Sequence, residues 1–338
     1  MTTSTTPLLR KDSAPDCGNA PRRAVIDIGT NSVKLLVAGV SGDHVSPCVE
    51  KSEQTRLGKG FYETRQLQPE SIEKTALAVA SFASEAAKWN PESIRVIATS
   101  AVRDALNQSD LIEAIRRACG LEVTVISGEQ EADWVFRGVT TDRSLLSDPL
   151  LILDVGGGST EFILGKGSVQ RFRESFRLGT VRLLEQFPPN DPPLPEQWHA
   201  CRKWIDDFFR TRIAPSLTPH LSGFPPGSIR LIGTGGTSTI LARMQLVLES
   251  FDRDRLETLQ LSREDVQHHR RHLWEMTLKD RQAIPGLPAN RADIILMGTA
   301  IFVSVMEFFQ FHNLKISTRG LRFAALLDTD RPHNGAIR

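Results

Sequence analysis

Short apolar runs and polar turns alternate along the first part of the chain. Residues 24–28 and 33–40 are apolar and flank the polar turn 29–32, which predicts a strand, a tight turn and a second strand. From 71 to 89, apolar side chains recur at helical spacing and predict an amphipathic helix. The same reasoning predicts strands over 93–98 and 121–126 and helices over 109–119 and 130–139. This alternation is typical of an α/β fold.

A second series of the same kind begins at residue 150. The apolar run 150–155 ends in a Gly-Gly-Gly-Ser turn, and a strand over 160–164 follows. The proline-rich stretch 187–197 predicts a connector, because proline fits neither a helix interior nor a central strand. The remaining predictions are strands over 169–175, 228–232 and 315–317 and helices over 198–212, 237–248, from 262 onward, and 291–310, the last with Gly298 as a point where it could break.

The two series contain an internal repeat. The sequence Ile-Asp-Ile-Gly-Thr-Asn-Ser at 26–32 matches Leu-Asp-Val-Gly-Gly-Gly-Ser at 153–159, so that Asp27 aligns with Asp154. Each copy follows a predicted buried strand and precedes another. A repeat at this distance predicts two similar domains that face each other.

Length and charge exclude several classes of protein. The 338 residues suffice for two domains with separate cores. A formal net charge of +1 gives no overall field that would attract nucleic acid or acidic membranes, so neither is expected as a partner. The first 21 residues are polar, without the apolar segment of a secretory signal, and predict a disordered tail. No apolar stretch reaches the roughly 20 residues of a membrane helix. Four scattered cysteines without a CxxC motif fit a reducing cytoplasm, so we expect a cytoplasmic protein.

Three turns between the predicted elements are rich in glycine and small polar residues. Such turns expose backbone N–H groups and hydroxyls, which bind phosphate oxygens. Consecutive glycines lose much backbone entropy on folding, and close approach of a ligand would explain them. A polar hairpin turn without a ligand is the simpler alternative for the first turn. The predicted phosphate-binding residues are Thr30, Asn31, Ser32, Gly156, Gly157, Gly158, Ser159, Gly235 and Gly236.

Acidic residues flank the second turn. Asp154 precedes it and Glu161 follows it. Carboxylates are ligands that suit Mg²⁺, which binds through one or two of them together with phosphate. We therefore predict Mg²⁺ at Asp154 and Glu161, with Asp27 as a further candidate ligand. Surface carboxylates beside a bulged hairpin are the alternative.

Two other side chains have chemistry that fits a phosphate site. Arg103 follows a predicted strand and could bind phosphate by bidentate contacts, although a surface arginine is the simpler alternative. Glu131 lies near the start of a predicted helix, where it could complement the helix dipole or act as a general base for water. His268 and His272 have helical i, i+4 spacing without an acidic third ligand, so no metal site is predicted there.

Taken together, these motifs resemble the exopolyphosphatase / guanosine pentaphosphate phosphatase family. The resemblance covers about residues 22–327, in the family's order, through AVIDIGTNSVKLLV (24–37), TRLGKG (55–60), VIATSAVRDALN (96–107), ISGEQEA (126–132), LILDVGGGSTEF (151–162), RLGTVRL (177–183), LIGTGGTSTILA (231–242) and RADIILMG (291–298). It implies two ribonuclease-H-like α/β domains of the sugar kinase–actin ATPase superfamily, with the active site in the cleft between them. It also implies an N-terminal domain of residues 22–127 plus about 309–330 and a C-terminal domain of residues 128–308.

The resemblance implies roles for individual residues. Glu131 matches the second Glu of a Ser-Gly-x-Glu-Glu-Ala motif, which activates water in that family. Arg103 matches the arginine that contacts the terminal phosphate, and Asp154 and Glu161 match acidic residues around the magnesium and phosphate site. Gln130 is a departure, because the family has Glu at that position, and the change removes one charge beside the base.

The expected function is therefore hydrolysis of the terminal phosphoanhydride bonds of inorganic polyphosphate, with release of orthophosphate. Guanosine pentaphosphate is the alternative substrate. A polyphosphate chain is a line of negative charge, so it needs basic side chains that lead away from the catalytic turns. The candidates for this track are Arg56, Lys59, Arg177, Arg182, Arg319 and Arg322.

Other functions fit the same turns. A kinase of this superfamily would activate an acceptor hydroxyl instead of water, but the Ser-Gly-x-x-Glu-Ala stretch and the chain length favour a hydrolase. A non-catalytic sensor of alarmone nucleotides or polyphosphate would not need Glu131, and a polymerising actin-like ATPase is a third alternative. The oligomeric state stays open, with a homodimer as the commonest assembly.

Overall fold

The computed structural model describes residues 20–328. Its first sheet is built from β1 (Arg22–Ile28), β2 (Ser32–Ser41), β3 (His44–Gln54), β4 (Ser93–Ala98) and β5 (Val123–Val125). The order across the sheet is β3-β2-β1-β4-β5. Strand β1 is antiparallel to β2 and parallel to β4. The predicted hairpin over 24–40 is therefore confirmed as the centre of this sheet.

The second sheet is built from β6 (Pro149–Val155), β7 (Thr160–Lys166), β8 (Val169–Phe176), β9 (Arg230–Thr234), β10 (Gln260–Ser262) and β11 (Asn313–Ile316). Its order is β10-β11-β9-β6-β7-β8. Apart from the edge strand β10, this order repeats the first sheet, with β6 and β7 in the places of β1 and β2. The strand directions repeat as well. The two similar halves predicted from the sequence repeat are present in the topology.

Helices pack on both sheets. Before β6 along the chain they are α1 (Phe61–Thr64), α2 (Pro69–Ala87), α3 (Ser100–Asp104), α4 (Gln108–Cys119) and α5 (Gly128–Val139). After β8 they are α6 (Thr180–Gln186), α7 (Pro195–Phe208), α8 (Ala214–Leu221), α9 (Gly235–Gln245), α10 (Arg253–Thr258), α11 (Arg263–Glu275), α12 (Leu278–Gln282), α13 (Ile295–Phe308) and α14 (Leu321–Leu327). Helix α5 packs against β7 and β8 of the second sheet, and α14 packs against the first sheet. Within residues 20–328, every helix is too short or too polar to cross a membrane.

Apolar side chains form a core beside each sheet and a third cluster between the sheets. The third cluster joins Val25 of β1 and Ile152 of β6 through Trp134 of α5 and Phe323 of α14. These side chains are at most 2% exposed. Because this cluster fixes one sheet against the other, the turns that follow β1 and β6 are held in a defined relation.

Helix α13 differs from its predicted form. It begins at Ile295 instead of 291 and continues through Gly298 without a break. A Cβ atom at Gly298 would lie 2.3 Å from the Thr237 methyl carbon, so this glycine lets α9 approach α13. Glycine therefore marks close packing here and not the end of a helix.

The segment predicted to return to the first domain is divided between the two halves. Strand β11 pairs with β9 of the second sheet, whereas α14 packs against α5 and β1. The domain boundaries given above stay a prediction. The predicted disordered tail lies outside the described residues, except for its last two positions.

Candidate active site

The two repeated turns open on one cleft. In the first turn the Gly29 N–H donates to Ser32 O at 3.0 Å, and in the second the Gly156 N–H donates to Ser159 O at 2.9 Å. The turns therefore share one hydrogen-bonding pattern. The side chains and glycines that line the cleft include Asp27, Thr30, Asn31, Ser32, Glu131, Asp154, Gly156, Gly157, Gly158, Ser159, Glu161, Gly235 and Gly236.

Unpaired donors in the first turn suit a phosphate ligand. The Asn31 side-chain carbonyl accepts from Gln54 Nε2 at 3.2 Å, which assigns the amide nitrogen to the opposite side. That nitrogen is buried and has no hydrogen-bond partner among the described residues. Buried polar atoms without a partner are rare, and at this position a phosphate oxygen would satisfy one.

The third turn packs directly on the second. Gly235 has a φ of 83°, and a Cβ atom there would lie 2.1 Å from Asp154 Oδ1. Gly235 and Gly236 begin α9, so the unpaired N–H groups of the helix start lie at the cleft. Helix starts favour anions. All three predicted turns therefore meet at one place.

Glu131 and Arg103 form an ion pair beside these turns. Arg103 Nη1 donates to Glu131 Oε2 at 2.9 Å and to Ile126 O at 3.1 Å. Gly128 permits this arrangement, because a Cβ atom there would lie 2.8 Å from Ser175 Cβ and would push α5 away from β8. Burial raises the pKa of Glu131 to about 7, against the opposing effect of the Arg103 charge. A carboxyl group with this pKa suits general-base chemistry near neutral pH.

The two hairpins differ in the residue that lies opposite the aspartate shared by both copies of the repeat. Asp27 lies opposite Lys34 in the β1–β2 ladder, whereas Asp154 lies opposite Glu161 in the β6–β7 ladder. Directly opposed side chains lie on the same face of a sheet and interact. The first hairpin therefore presents a carboxylate and an ammonium group, and the second presents two carboxylates.

Burial makes the carboxylate pair electrostatically unfavourable by itself. Burial raises the pKa of Asp154, and it raises the pKa of Glu161 well above its usual range. The charges of Glu131 and Asp154 raise the pKa of Glu161 further. Ser175 Oγ donates to Glu161 Oε1 at 2.7 Å. Bound cations are often the largest local charges in such sites, and one placed here would offset the repulsion.

The donor set fits Mg²⁺ through two carboxylates, and Asp27 as a further ligand stays a prediction. Among residues 20–328, no group of three or more His, Cys, Asp or Glu side chains is placed to hold one metal ion. Mg²⁺ often uses only one or two carboxylates, with water and phosphate completing its shell. The Asp154–Glu161 pair meets that requirement, whereas Asp27 faces Lys34.

The six predicted track residues differ in their partners, and the track itself stays a prediction. Arg319 pairs with Glu257 at 3.2 Å, and Arg322 pairs with Glu50 at 3.1 Å. Arg182 Nε donates to the Gly158 carbonyl oxygen at 3.0 Å. These three side chains are thus engaged by the protein itself. The remaining candidates are exposed: Lys59, Arg56, which pairs with Asp293 at 2.9 Å, and Arg177, which lies 3.8 Å from Asp104.

Two cleft residues were missed by the sequence analysis. Lys34 is half-buried, and desolvation lowers its pKa while the neighbouring Asp27 charge opposes that shift. A lysine within the otherwise apolar strand β2 was a usable signal, because it shares a strand face with Ser32. Arg291 lines the cleft and donates a hydrogen bond to Ser32 Oγ. Arg291 begins the motif stretch 291–298, but nothing in that stretch indicated a role in the cleft, since its partner lies 259 positions earlier.

The histidine run lies on α11, away from the cleft lining. The His268 and His272 rings stack with centroids 6.1 Å apart. We predict that the double substitution His268→Gln/His272→Gln leaves bound-metal content and phosphate release within twofold of wild type. Elemental analysis beside the phosphate assay checks this, and loss of a stoichiometric metal from the variant would contradict it.

Comparison with known proteins identifies similar sequences. A model described as the Ppx/GppA phosphatase family matches residues 36–331. Exopolyphosphatase 2 of Mycobacterium tuberculosis is 30% identical over 292 residues, which are 83% of this chain and 88% of that protein. A bifunctional 3-dehydroquinate synthase/phosphatase of Fusobacterium nucleatum is 28% identical over 320 residues, 90% of this chain. The chain spans 46% of that longer protein.

Solved structures with similar folds agree with these matches. The Aquifex aeolicus PPX-GPPA enzyme has 29% identity and a TM-score of 0.73, with 91% of this chain and 99% of that chain covered. An exopolyphosphatase from Cytophaga hutchinsonii has 28% identity and a TM-score of 0.80, with 90% and 96% covered. The predicted α/β fold with two similar halves is confirmed, and it is shared with the Aquifex aeolicus PPX-GPPA enzyme.

Proposed function

The chain belongs to the Ppx/GppA phosphatase family, and we propose that it hydrolyses the terminal phosphoanhydride bonds of inorganic polyphosphate. The resemblance inferred from the motifs is thus confirmed. The chain is a phosphoanhydride hydrolase that releases orthophosphate. The position of Glu131 beside Arg103, where the phosphate turns meet, is the observation that carries the proposal.

These residues account for a complete hydrolytic step. The backbone N–H groups of the turns hold the oxygens of the terminal phosphate, and Arg103 contacts the same group. Glu131 accepts a proton from water as the water oxygen attacks the terminal phosphorus. The bond to the bridging oxygen breaks, and the shortened chain leaves with that oxygen. Catalysis of this kind depends on positioning and on neutralising the phosphoryl oxygens.

We propose that Asp154 and Glu161 hold Mg²⁺. When bound, the ion supplies positive charge to the transferring phosphoryl group. Support for this role comes from the opposed positions of the two carboxylates in adjoining strands, where Glu161 is buried and Asp154 is half-buried.

The exposed basic residues near the cleft would bind the rest of the chain. We predict that the double variant Arg56→Gln/Lys59→Gln weakens binding of long chains more than short ones and lowers the salt dependence of KM. Binding of a polyanion releases counterions, and each lost contact reduces that effect. The control is Lys203→Gln/Arg210→Gln, an exposed pair in which Arg210, like Arg56, contacts an aspartate. Equal losses at every chain length would contradict this prediction.

Guanosine pentaphosphate is the second candidate substrate. The cleft lining also includes the apolar side chains of Ile240, Ile294 and Leu321, which could contact a nucleoside. A phosphate-release assay with Mg²⁺ on both substrates, without any acceptor, tests the proposal. Higher kcat/KM for polyphosphate is expected. Far more efficient turnover of guanosine pentaphosphate would reverse the assignment, and no release from either would reject the hydrolase.

A cytoplasmic location and a homodimer belong to the same proposal. Fractionation of cells tests the first, and light scattering of the purified protein tests the second.

A further inference from the structure

The Gly-rich turn after β6 is hydrogen-bonded to the start of α6. Backbone N–H groups of α6 donate to the first two carbonyls of the turn, those of Gly156 and Gly157, at 2.9 to 3.1 Å. The third carbonyl, that of Gly158, accepts from the Arg182 side chain instead, through Nε at 3.0 Å. The α6 backbone and the Arg182 side chain together therefore hydrogen-bond all three glycine carbonyls of the turn.

Anchoring these carbonyls fixes the direction of the N–H groups in the turn. In a planar trans peptide, the C=O of one residue and the N–H of the next point in opposite directions. The carbonyl of Gly158 points toward Arg182, so the N–H of Ser159 points away from it, toward the cleft that Ser159 lines. Loss of the Arg182 contact would release this peptide plane, because glycine restricts rotation very little.

Arg182 is itself held by the other half of the chain. Its guanidinium carbon lies 4.1 Å from the centroid of the Tyr62 ring, and Nη2 lies 3.9 Å from Asp104 Oδ2. The backbone N–H groups of Gly60 and Tyr62 donate to the Glu185 carboxylate on α6, at 2.6 and 3.3 Å. The loop before α1 is therefore attached to the helix that anchors the turn.

We propose that Arg182 is a positioning residue, which orients the Ser159 N–H toward the terminal phosphate and is held in place by the Tyr62 ring. The inference deepens the proposed function and rests on it. It also replaces the prediction that Arg182 contacts the polyphosphate chain as a charge. A planar guanidinium can stack on the ring and direct Nε at a carbonyl, whereas a lysine ammonium cannot do both.

The substitutions Arg182→Lys and Arg182→Gln separate geometry from charge. We expect both to lower kcat/KM for polyphosphate by about 10- to 100-fold, the range for loss of one hydrogen bond from a charged group. The slope of log KM against log salt concentration should stay as in wild type. Arg171→Lys is the matched control, because Arg171 also stacks on a ring, at 4.4 Å from Phe224, outside the cleft lining.

Tyr62 provides a second, independent set of variants. Tyr62→Leu removes the ring and should lower kcat/KM more than Tyr62→Phe, which keeps it. Adding Tyr62→Leu to Arg182→Gln should produce little further loss, because both changes release the same peptide plane. Urea unfolding of each variant identifies losses caused by reduced stability. If an Arg182 variant does not fold, the comparison of Tyr62→Leu with Tyr62→Phe tests the proposal in its place.

Binding of inorganic phosphate, measured by calorimetry, separates this inference from the proposed function. Weaker phosphate binding by Arg182→Lys supports the positioning role even if wild type hydrolyses neither substrate, which would reject only the function. Full activity and phosphate binding of Arg182→Lys would overturn the inference. A lower salt slope for Arg182→Gln, as expected for a charge that contacts the chain, would also overturn it.

Discussion

Replacement of Glu131 by Gln is expected to lower kcat for phosphate release by about 10²- to 10⁴-fold, the usual contribution of a general base. The amide has nearly the shape of the carboxylate and can still accept a hydrogen bond from Arg103, whose distance to Glu131 is 2.9 Å. It cannot accept a proton from water. Substrate binding should therefore change much less than kcat. Steady-state kinetics with polyphosphate, beside circular dichroism to check the fold, measures both.

Glu129→Gln is the matched control for this experiment. Glu129 lies two positions earlier in the same helix turn, is exposed, and pairs with Arg173 at 2.8 Å. It should retain activity close to wild type, because it is absent from the cleft lining. Turnover by Glu131→Gln near the wild-type rate would place the base elsewhere and would remove the observation on which the function rests.

The position of the site could be predicted because local sequence determines the hairpins that form it. Apolar runs flank the turns 29–32 and 156–159, and this pattern predicts a strand, a turn and a second strand at each place. The repeat then indicates that the two turns are equivalent, and equivalent turns in facing domains meet. Glu131 and Arg103 were found through the family motifs, since their pairing joins residues 28 positions apart.

The roles of the basic residues could not be predicted in the same way. Arg319 and Arg322 each stand near a glycine, as Arg56 does, and nothing local distinguishes them. Their partners, Glu257 and Glu50, are brought near only by the packing of α10, α14 and β3. Whether a charged side chain is available to a ligand depends on such long-range neighbours. The residues next to a turn in the sequence therefore do not predict that availability.

Removal of divalent cations is expected to abolish phosphate release, and Mg²⁺ alone should restore it. Asp154→Ala should lower the rate by about 10²-fold or more, since a metal ion stabilises transition-state charge by several kcal/mol and each 1.4 kcal/mol is about tenfold. It should also weaken the response to Mg²⁺. Asp148→Ala is the control, because Asp148 is half-buried outside the cleft lining, precedes β6 and pairs with Arg230. Full activity after exhaustive EDTA treatment would refute the metal role of Asp154 and Glu161.

Stability provides a test of the metal that does not depend on activity. Folding raises the pKa of Glu131 to about 7 and raises those of Asp154 and Glu161, chiefly through burial. The metal-free folded protein therefore keeps protons that the unfolded chain has already released. The contribution of these three groups to stability is consequently greatest below their unfolded values near pH 4 and decreases as the pH rises through 7. Mg²⁺ should offset this decrease by binding the ionised pair in the folded state alone, so it should raise Tm more at pH 8 than at pH 5. Calorimetric scans of wild type and Asp154→Ala measure the difference, and an equal Mg²⁺ effect on both proteins would show that the ion binds elsewhere.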